Sequence, residues 1–274
     1  MKITLFSNYL NHLQAPFCDE MYKYLGKNFV FVSTEPLPKE RLLSGYEDCS
    51  QYIYNLASYT SNVNYEKALK LGIDSDVVII GAASKVFIKE RILQNKLTFI
   101  YTERLLKKGN WQLLSPRALR GLYLNYTKYR NKDFYMLSAG AYTANDLNKI
   151  FAYPEKRYKW GYFTKVEELN IDDIVVQKPT EKMEILWVAR FIDWKHPELV
   201  IKLDEKLKNE GYKFHINMIG AGILFNNTKD LINRFKVADY VSLSGNKSNI
   251  EVRECMNKSN IFILCQSHHV IRYN

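Results

Sequence analysis

Several things are scarce or absent in this sequence, and each absence narrows what the chain can be. No apolar run approaches the roughly 20 residues that a membrane-spanning helix needs, the longest aliphatic stretch being Val77 to Ile80. The opening Met1-Lys2-Ile3-Thr4-Leu5-Phe6-Ser7-Asn8 reaches polar residues too early for a secretory core and shows no small-residue cleavage signal, so export is not expected. Only four cysteines occur (Cys18, Cys49, Cys255 and Cys265), without a Cys-x-x-Cys pair or a histidine at zinc-ligand spacing. Scattered thiols of this kind fit a reducing cytoplasm, and no metal site is expected. No tract of low complexity and no repeat at solenoid spacing is visible.

What is present is an ordinary globular composition, 47% hydrophobic and 25% charged over 274 residues, enough for two domains with separate cores. The net charge of +10 is unevenly placed. Residues 1–165 hold 24 Lys+Arg against 14 Asp+Glu, whereas residues 166–274 hold 15 of each. The whole excess therefore lies in the first part. Within it, Arg104 to Lys132 carries eight bases and no acid, a composition that draws the region toward an anionic surface or substrate.

Short β-rich runs alternate with helical periodicities. Ile3 to Phe6, Phe29 to Val32, Asp76 to Gly81 and Leu97 to Tyr101 read as strands, and Phe17 to Leu25, Asn64 to Leu71 and Ser84 to Asn95 as helices between them. Aliphatic strands that do not alternate in polarity predict a parallel sheet covered on both faces. An acid- and proline-containing stretch, residues 165–182, reads as a linker. The pattern then restarts with strands at Glu184 to Val188, Phe214 to Ile219, Tyr240 to Leu243 and Ile261 to Leu264, and helices at Pro197 to Glu210 and Asn227 to Phe235. The expected division is 1–164 and 183–274 around that linker, in an α/β fold of two Rossmann-like lobes.

Arg190 follows the strand ending at Val188, and Lys195 precedes the helix that Pro197 opens. Ligands of open α/β sheets bind at that rim, and two cations beside a helix's positive end suit a diphosphate. Solvated loop bases would look the same in the sequence. Gly220-Ala221-Gly222 lacks the third glycine and the downstream acid of a dinucleotide fingerprint, and a tight turn is a sufficient reading of it.

The stretch Val188-Ala189-Arg190 to Lys195-His196-Pro197, the strand ending in Gly220-Ala221-Gly222, Val241 to Gly245, and Glu251-Val252-Arg253 with Met256 to Leu264 together resemble the donor-binding lobe of family 4 glycosyltransferases. More loosely, Asn11 to Cys18 and Tyr101-Thr102-Glu103-Arg104 resemble the first lobe. The resemblance runs to about Ser267. It implies a retaining enzyme of the GT-B arrangement, with a nucleotide-diphosphate sugar as co-substrate and no cofactor. Arg190, Lys195 and Gly220 would meet the donor diphosphate. Asn11, His12 and Gln14 would lie on an acceptor-side loop, and Glu103 would face the reacting sugar, although a surface pair with Arg104 or Lys107 explains it equally. The family continues into a Glu-Gly-x-Gly loop and a second glutamate seven residues on. Here the last glutamate is Glu254, so a truncated second lobe with impaired or absent turnover is expected.

Ser115-Pro116 reads as a helix start, followed by Leu119, Leu122, Tyr123 and Tyr126 as one apolar stripe with Arg117, Arg120 and Lys128 beside it. A membrane-surface helix and a core-facing helix with a basic outer face fit that pattern equally. The adjacent His268 and His269 read as a tail. The expected partners are a nucleotide sugar and a saccharide or lipid-linked acceptor, in a cytoplasmic protein with or without peripheral contact to an anionic membrane. Two other readings stay open: a non-catalytic nucleotide- or sugar-binding fragment, and a basic nucleic-acid binder, for which no recognised motif is present.

Overall fold

A computed structural model describes residues 1–266 apart from Ser44, Lys108 and Glu167. The expectation on His268 and His269 lies outside the described residues. The chain divides into one unit of Met1–Pro38 with Glu47–Val166 and another of Lys39–Tyr46 with Glu167–Asn274.

The first unit runs β1 (Ile3–Ser7), α1 (Ala15–Leu25), β2 (Phe29–Ser33), then, after the excursion α2 (Lys39–Leu43) that belongs to the second unit, β3 (Asn55–Ala57), α3 (Asn62–Asp74), β4 (Val77–Ile80), α4 (Lys89–Leu93), β5 (Thr98–Thr102), α5 (Pro116–Asn125), β6 (Phe134–Ala139), α6 (Thr143–Lys149) and β7 (Arg157–Trp160). Its strands form one seven-stranded sheet in the order β3-β2-β1-β4-β5-β6-β7, parallel at every pairing. Successive residues of a strand point to opposite faces. Leu5, Ile79 and Leu137 accordingly join a core under α1, while Phe6, Ile80 and Met136 join a second core with α3 and α6. At the amino ends of the strands Arg91, fully buried, donates to the carbonyls of Gly72, Ser75, Asp76 and Leu97 and to Thr98 Oγ1. One guanidinium thus ties the end of α3 to the starts of β4 and β5.

Two local expectations are corrected here. The helix read over Ser84 to Asn95 is broken, because Ser84 accepts from Val86 N and starts a 3₁₀ turn, Lys85–Ile88, before α4. The apolar stripe read on α5 splits. Leu122 and Tyr126 pack on the core, whereas Leu119 and Tyr123 are exposed with Arg117, Arg120 and Leu124. Ser115 does cap this helix, accepting from Ala118 N.

The second unit continues with α7 (Ile171–Val176), β8 (Met183–Val188), α8 (Pro197–Asn209), β9 (Phe214–Ile219), α9 (Phe225–Phe235), β10 (Val241–Gly245), α10 (Asn249–Lys258) and β11 (Ile261–Ile263). The stretch read as a plain linker therefore contains a short helix, opened by Asn170, whose side chain accepts from Asp172 N. The sheet is four-stranded and parallel in the order β10-β9-β8-β11. One face packs Ile185, Trp187, Ile216 and Met218 against α8 and α9. The other carries polar pairs between neighbouring strands, His215 Nδ1 to Glu184 Oε2 at 2.9 Å and Ser244 Oγ to Asn217 Oδ1 at 2.6 Å. That second face also buries Leu186 and Ile219, so both sheets carry apolar cover on two faces, the second with these polar pairs added on one of them. On the edge strand and just beyond it, Phe262 is 47% and Leu264 64% exposed.

Candidate functional site

In each sheet the strand order reverses beside the first strand of the unit, and the carboxyl ends at such a reversal are where open α/β sheets bind ligands. In the second unit the reversal lies between β8 and β11. The chain leaving β8 there carries Arg190 and Lys195, and the turn leaving β9 carries Gly220 and Gly222.

These loops are joined backbone to backbone. Phe191 N donates to Ala221 O at 2.9 Å, Leu224 N to Phe191 O at 2.9 Å, and Gly220 N to Gly245 O at 2.8 Å. Side chains are excluded at the crossing. A Cβ on Gly220 would stand 2.0 Å from the Ala189 carbonyl oxygen, one on Gly222 2.4 Å from that of Phe191, and both glycines have positive φ, 139° and 155°. Beneath, Trp187 and Phe191 meet edge to face with centroids 4.8 Å apart, and Phe191 meets Phe225 at 5.1 Å.

Around this platform the predicted cations take definite places. Arg190 is exposed, its guanidinium 5.8 Å from the Trp194 ring centroid. Lys195 is half-buried, and its Nζ donates to Gln266 Oε1, beyond β11, at 2.6 Å. The start of α8 follows at once. His196 sits there in left-handed backbone with φ 51°, Pro197 occupies the first turn, and no side chain caps the helix. Glu198 brings one acid to that turn, its Oε1 2.9 Å from His196 Nδ1. The strand ends bring Arg190 and Gly220 onto one backbone-linked platform, with Lys195 on the same connection and tied to Gln266, which follows the neighbouring strand.

The first unit reverses between β1 and β4. Asn11 shapes the loop after β1, its Oδ1 accepting from Leu13 N and its carbonyl from Gln14 N and Ala15 N, all at 2.9 Å. His12 is half-buried, and burial, outweighing the pull of Glu47, holds its pKa below the usual value. Gln14 reaches inward, its Nε2 donating to Tyr101 Oη at 2.7 Å, while Tyr101 Oη also lies 2.9 Å from Ser7 Oγ. Burial pushes the Tyr101 phenol above its ordinary range, so it stays protonated.

Glu103 lies just past β5 and accepts from Lys107 Nζ and Tyr162 Oη. These two donors, Lys107 the stronger, hold its carboxyl below the usual range. Arg104 instead contacts the buried Asp146 at 3.3 Å. Arg117, Arg120 and Lys128 are exposed. Sequence reasoning missed Ser7, Phe17, Tyr101 and Phe163 as site residues. They line or brace a small pocket, with a cavity volume of ≈ 20 Å³, at the carboxyl rim of the first sheet, formed with Leu5, Leu13, Ala139 and Trp160. The run Trp160-Gly161-Tyr162-Phe163 was the one local signal for it.

Comparison with known proteins places the chain among glycosyltransferase folds. Residues 170–269 match the model of the family Glycosyl transferases group 1. The solved structures it resembles are glycosyltransferases of the GT-B arrangement. Among them is the lipopolysaccharide outer core galactosyltransferase WaaB, with TM-score 0.60 and 13% identity over 97% of this chain and 74% of that one. Anabaena HepE, solved with UDP and glucose, gives TM-score 0.60 and 10% identity over 97% and 74%. By sequence, WcaL of Escherichia coli (strain K12), a glycosyltransferase named for colanic acid biosynthesis, is 28% identical over 89 residues. That stretch is 32% of this chain and 22% of the relative, so the match spans under a quarter of the relative's length. No described helix is long and apolar enough to cross a membrane.

Proposed function

We propose that the protein takes part in sugar transfer from a nucleotide-diphosphate sugar to a saccharide or lipid-linked acceptor, with retention at the anomeric carbon. The second unit binds the donor. The observation that carries the reading is the interlocked platform after β8, β9 and β10, where glycine alone fits and Arg190 stands at the rim. A diphosphate needs close backbone approach and fixed positive charge, and the glycine crossings with Arg190 and Lys195 offer both. Lys195 exchanges its neutral partner Gln266 for a phosphate oxygen, gaining a charge-assisted bond. UDP bound to HepE and the group 1 match over residues 170–269 support the same assignment.

On the acceptor side, Asn11 and His12 shape the loop that presents Gln14. Glu103 acts as a carboxylate that stabilises positive charge developing on the sugar, since Lys107 and Tyr162 hold it ionised. The exposed outer face of α5, with Arg117, Arg120, Leu119, Tyr123 and Leu124, joined by Lys128 just beyond the helix, rests on anionic lipid and keeps the protein at the cytoplasmic membrane face.

The test is calorimetric titration of the chain with UDP and with GDP. Replacing both cations (Arg190→Ala with Lys195→Ala) is expected to weaken the better nucleotide by at least about tenfold, or about 1.4 kcal/mol. Undiminished binding in a variant whose far-UV spectrum is intact would overturn the proposal.

A further inference from the structure

The guanidinium of Arg190 is steadied by a ring and by nothing polar. It lies 5.8 Å from the centroid of Trp194, while among the described residues no carboxylate pairs with it and no hydrogen bond uses its donors. Of the two acids nearest along the chain, Glu198 is engaged with His196 at 2.9 Å, and Asp193 is exposed and pairs with no cation among the described residues. Other arginines spend their donors. Arg91 gives its own to backbone carbonyls, Arg157 to Ala144 O and Asn148 Oδ1, and Arg104 to Asp146, although Arg104 also lies 5.2 Å from the Tyr142 ring.

The ring is anchored more firmly than the cation it faces. Trp194 is half-buried in a single 3₁₀ turn, Asp193–Lys195, closed by Lys195 N to Ile192 O at 3.0 Å and His196 N to Asp193 O at 3.1 Å. Buried residues flank that turn, Phe191 and Ile192 before it and Pro197 after it. A long arginine side chain left free in water gives up rotamer freedom when it meets a ligand. A carboxylate could hold it in advance, but would cancel its charge and occupy part of its five-donor fork. The face of an indole attracts the cation without accepting any of its N–H groups. Lys195 follows the same rule, since its partner is the neutral amide of Gln266.

We propose that Trp194 is a positioning residue for the donor diphosphate, its ring setting the Arg190 guanidinium at the rim with full charge and every N–H left for phosphate oxygens. The inference rests on the donor-binding reading and adds to it a residue that acts only through Arg190.

The test is a double-mutant cycle on the full chain, read by calorimetric titration with whichever of UDP and GDP binds more tightly. Trp194→Leu keeps apolar bulk and removes the ring face, and is expected to weaken the nucleotide about three- to fivefold, whereas Trp194→Phe should stay within about twofold of wild type. In an Arg190→Ala background, Trp194→Leu should change the affinity by less than about 1.5-fold, because nothing is left to position. If Trp194→Leu fails to fold, Trp194→Gln replaces it with the same expectations. Undiminished binding without the ring, a loss equally large with and without Arg190, or equal affinities in the Leu and Phe variants overturns the proposal. Wild-type titration separates the two readings. Nucleotide bound and weakened by Arg190→Ala but indifferent to the ring breaks this inference alone, whereas no nucleotide bound breaks the donor assignment and this inference with it.

Discussion

The two units build their rims with different emphasis. In the second, the loops after β8, β9 and β10 meet through backbone, with glycine where a side chain would collide. In the first, backbone bonds such as Glu35 N to Asn8 O at 2.7 Å also join the loops, but the centre of the rim is held by side chains distant in sequence, Ser7 and Gln14 on Tyr101. The sheets beneath differ more mildly, the first with apolar cores on both faces and the second with Glu184–His215 and Asn217–Ser244 pairs beside the buried Leu186 and Ile219 on one face. A rim made of backbone tolerates almost no substitution at its crossings, whereas one made of side chains can change its ligand by single replacements.

The sharpest way to break this contrast is at Gly220. A Gly220→Val variant places carbon against the Ala189 carbonyl in a backbone conformation that side chains avoid. It is expected to lose roughly 3 kcal/mol or more of stability, read by denaturant unfolding, and nucleotide binding with it. Full stability in that variant would mean that the strand ends are not interlocked.

A comparable effect of opposite sign is expected at Asp204 on α8. This carboxyl is fully buried, neither oxygen has a hydrogen-bond partner, and burial, against the weaker pull of Lys208, pushes its pKa up to about 7. Its folded pKa lies above its unfolded value of 3.8, so no penalty exists below that value. As pH rises from about 4 to about 7, the wild type should lose stability relative to Asp204→Asn, by at most about 1.4 kcal/mol per pH unit. Asp204→Leu should be more stable than wild type at pH 7 by a few kcal/mol. Parallel unfolding curves at pH 4.5 and 7.5 check both, and equal pH dependence in wild type and variant would sink the assignment.

The smallest effect is the control for the glycine argument. Gly121, inside α5, has open space where a Cβ would stand. Gly121→Ala should therefore stabilise the protein by about 0.5–1 kcal/mol, measured by thermal unfolding.

What could be read beforehand follows the same division. The interlocked rim was legible because its parts are local signatures: a cation after a strand, a proline opening a helix, a glycine pair closing a strand. Most inner strands were legible as aliphatic or β-rich runs. The edge strands β10 and β11 of the second sheet were read too, whereas the edge strands β3 (Asn55–Ala57) and β7 (Arg157–Trp160), partly exposed and polar, and the inner strand β6 (Phe134–Ala139) were not. The pocket escaped notice because Tyr101 meets Ser7 and Gln14 across 94 and 87 residues, distances over which no periodicity speaks. The stripe on α5 was half right for a related reason. Periodicity locates an apolar face, and only the packed structure shows how far round the helix the core extends.

Arg91 has a bearing on how such a protein diversifies. It fastens the amino ends of β4 and β5, away from the rim where ligands are proposed to bind. With that end pinned, insertions and exchanges in the opposite loops leave the strands seated, and new specificities can be sampled without first solving the folding problem again.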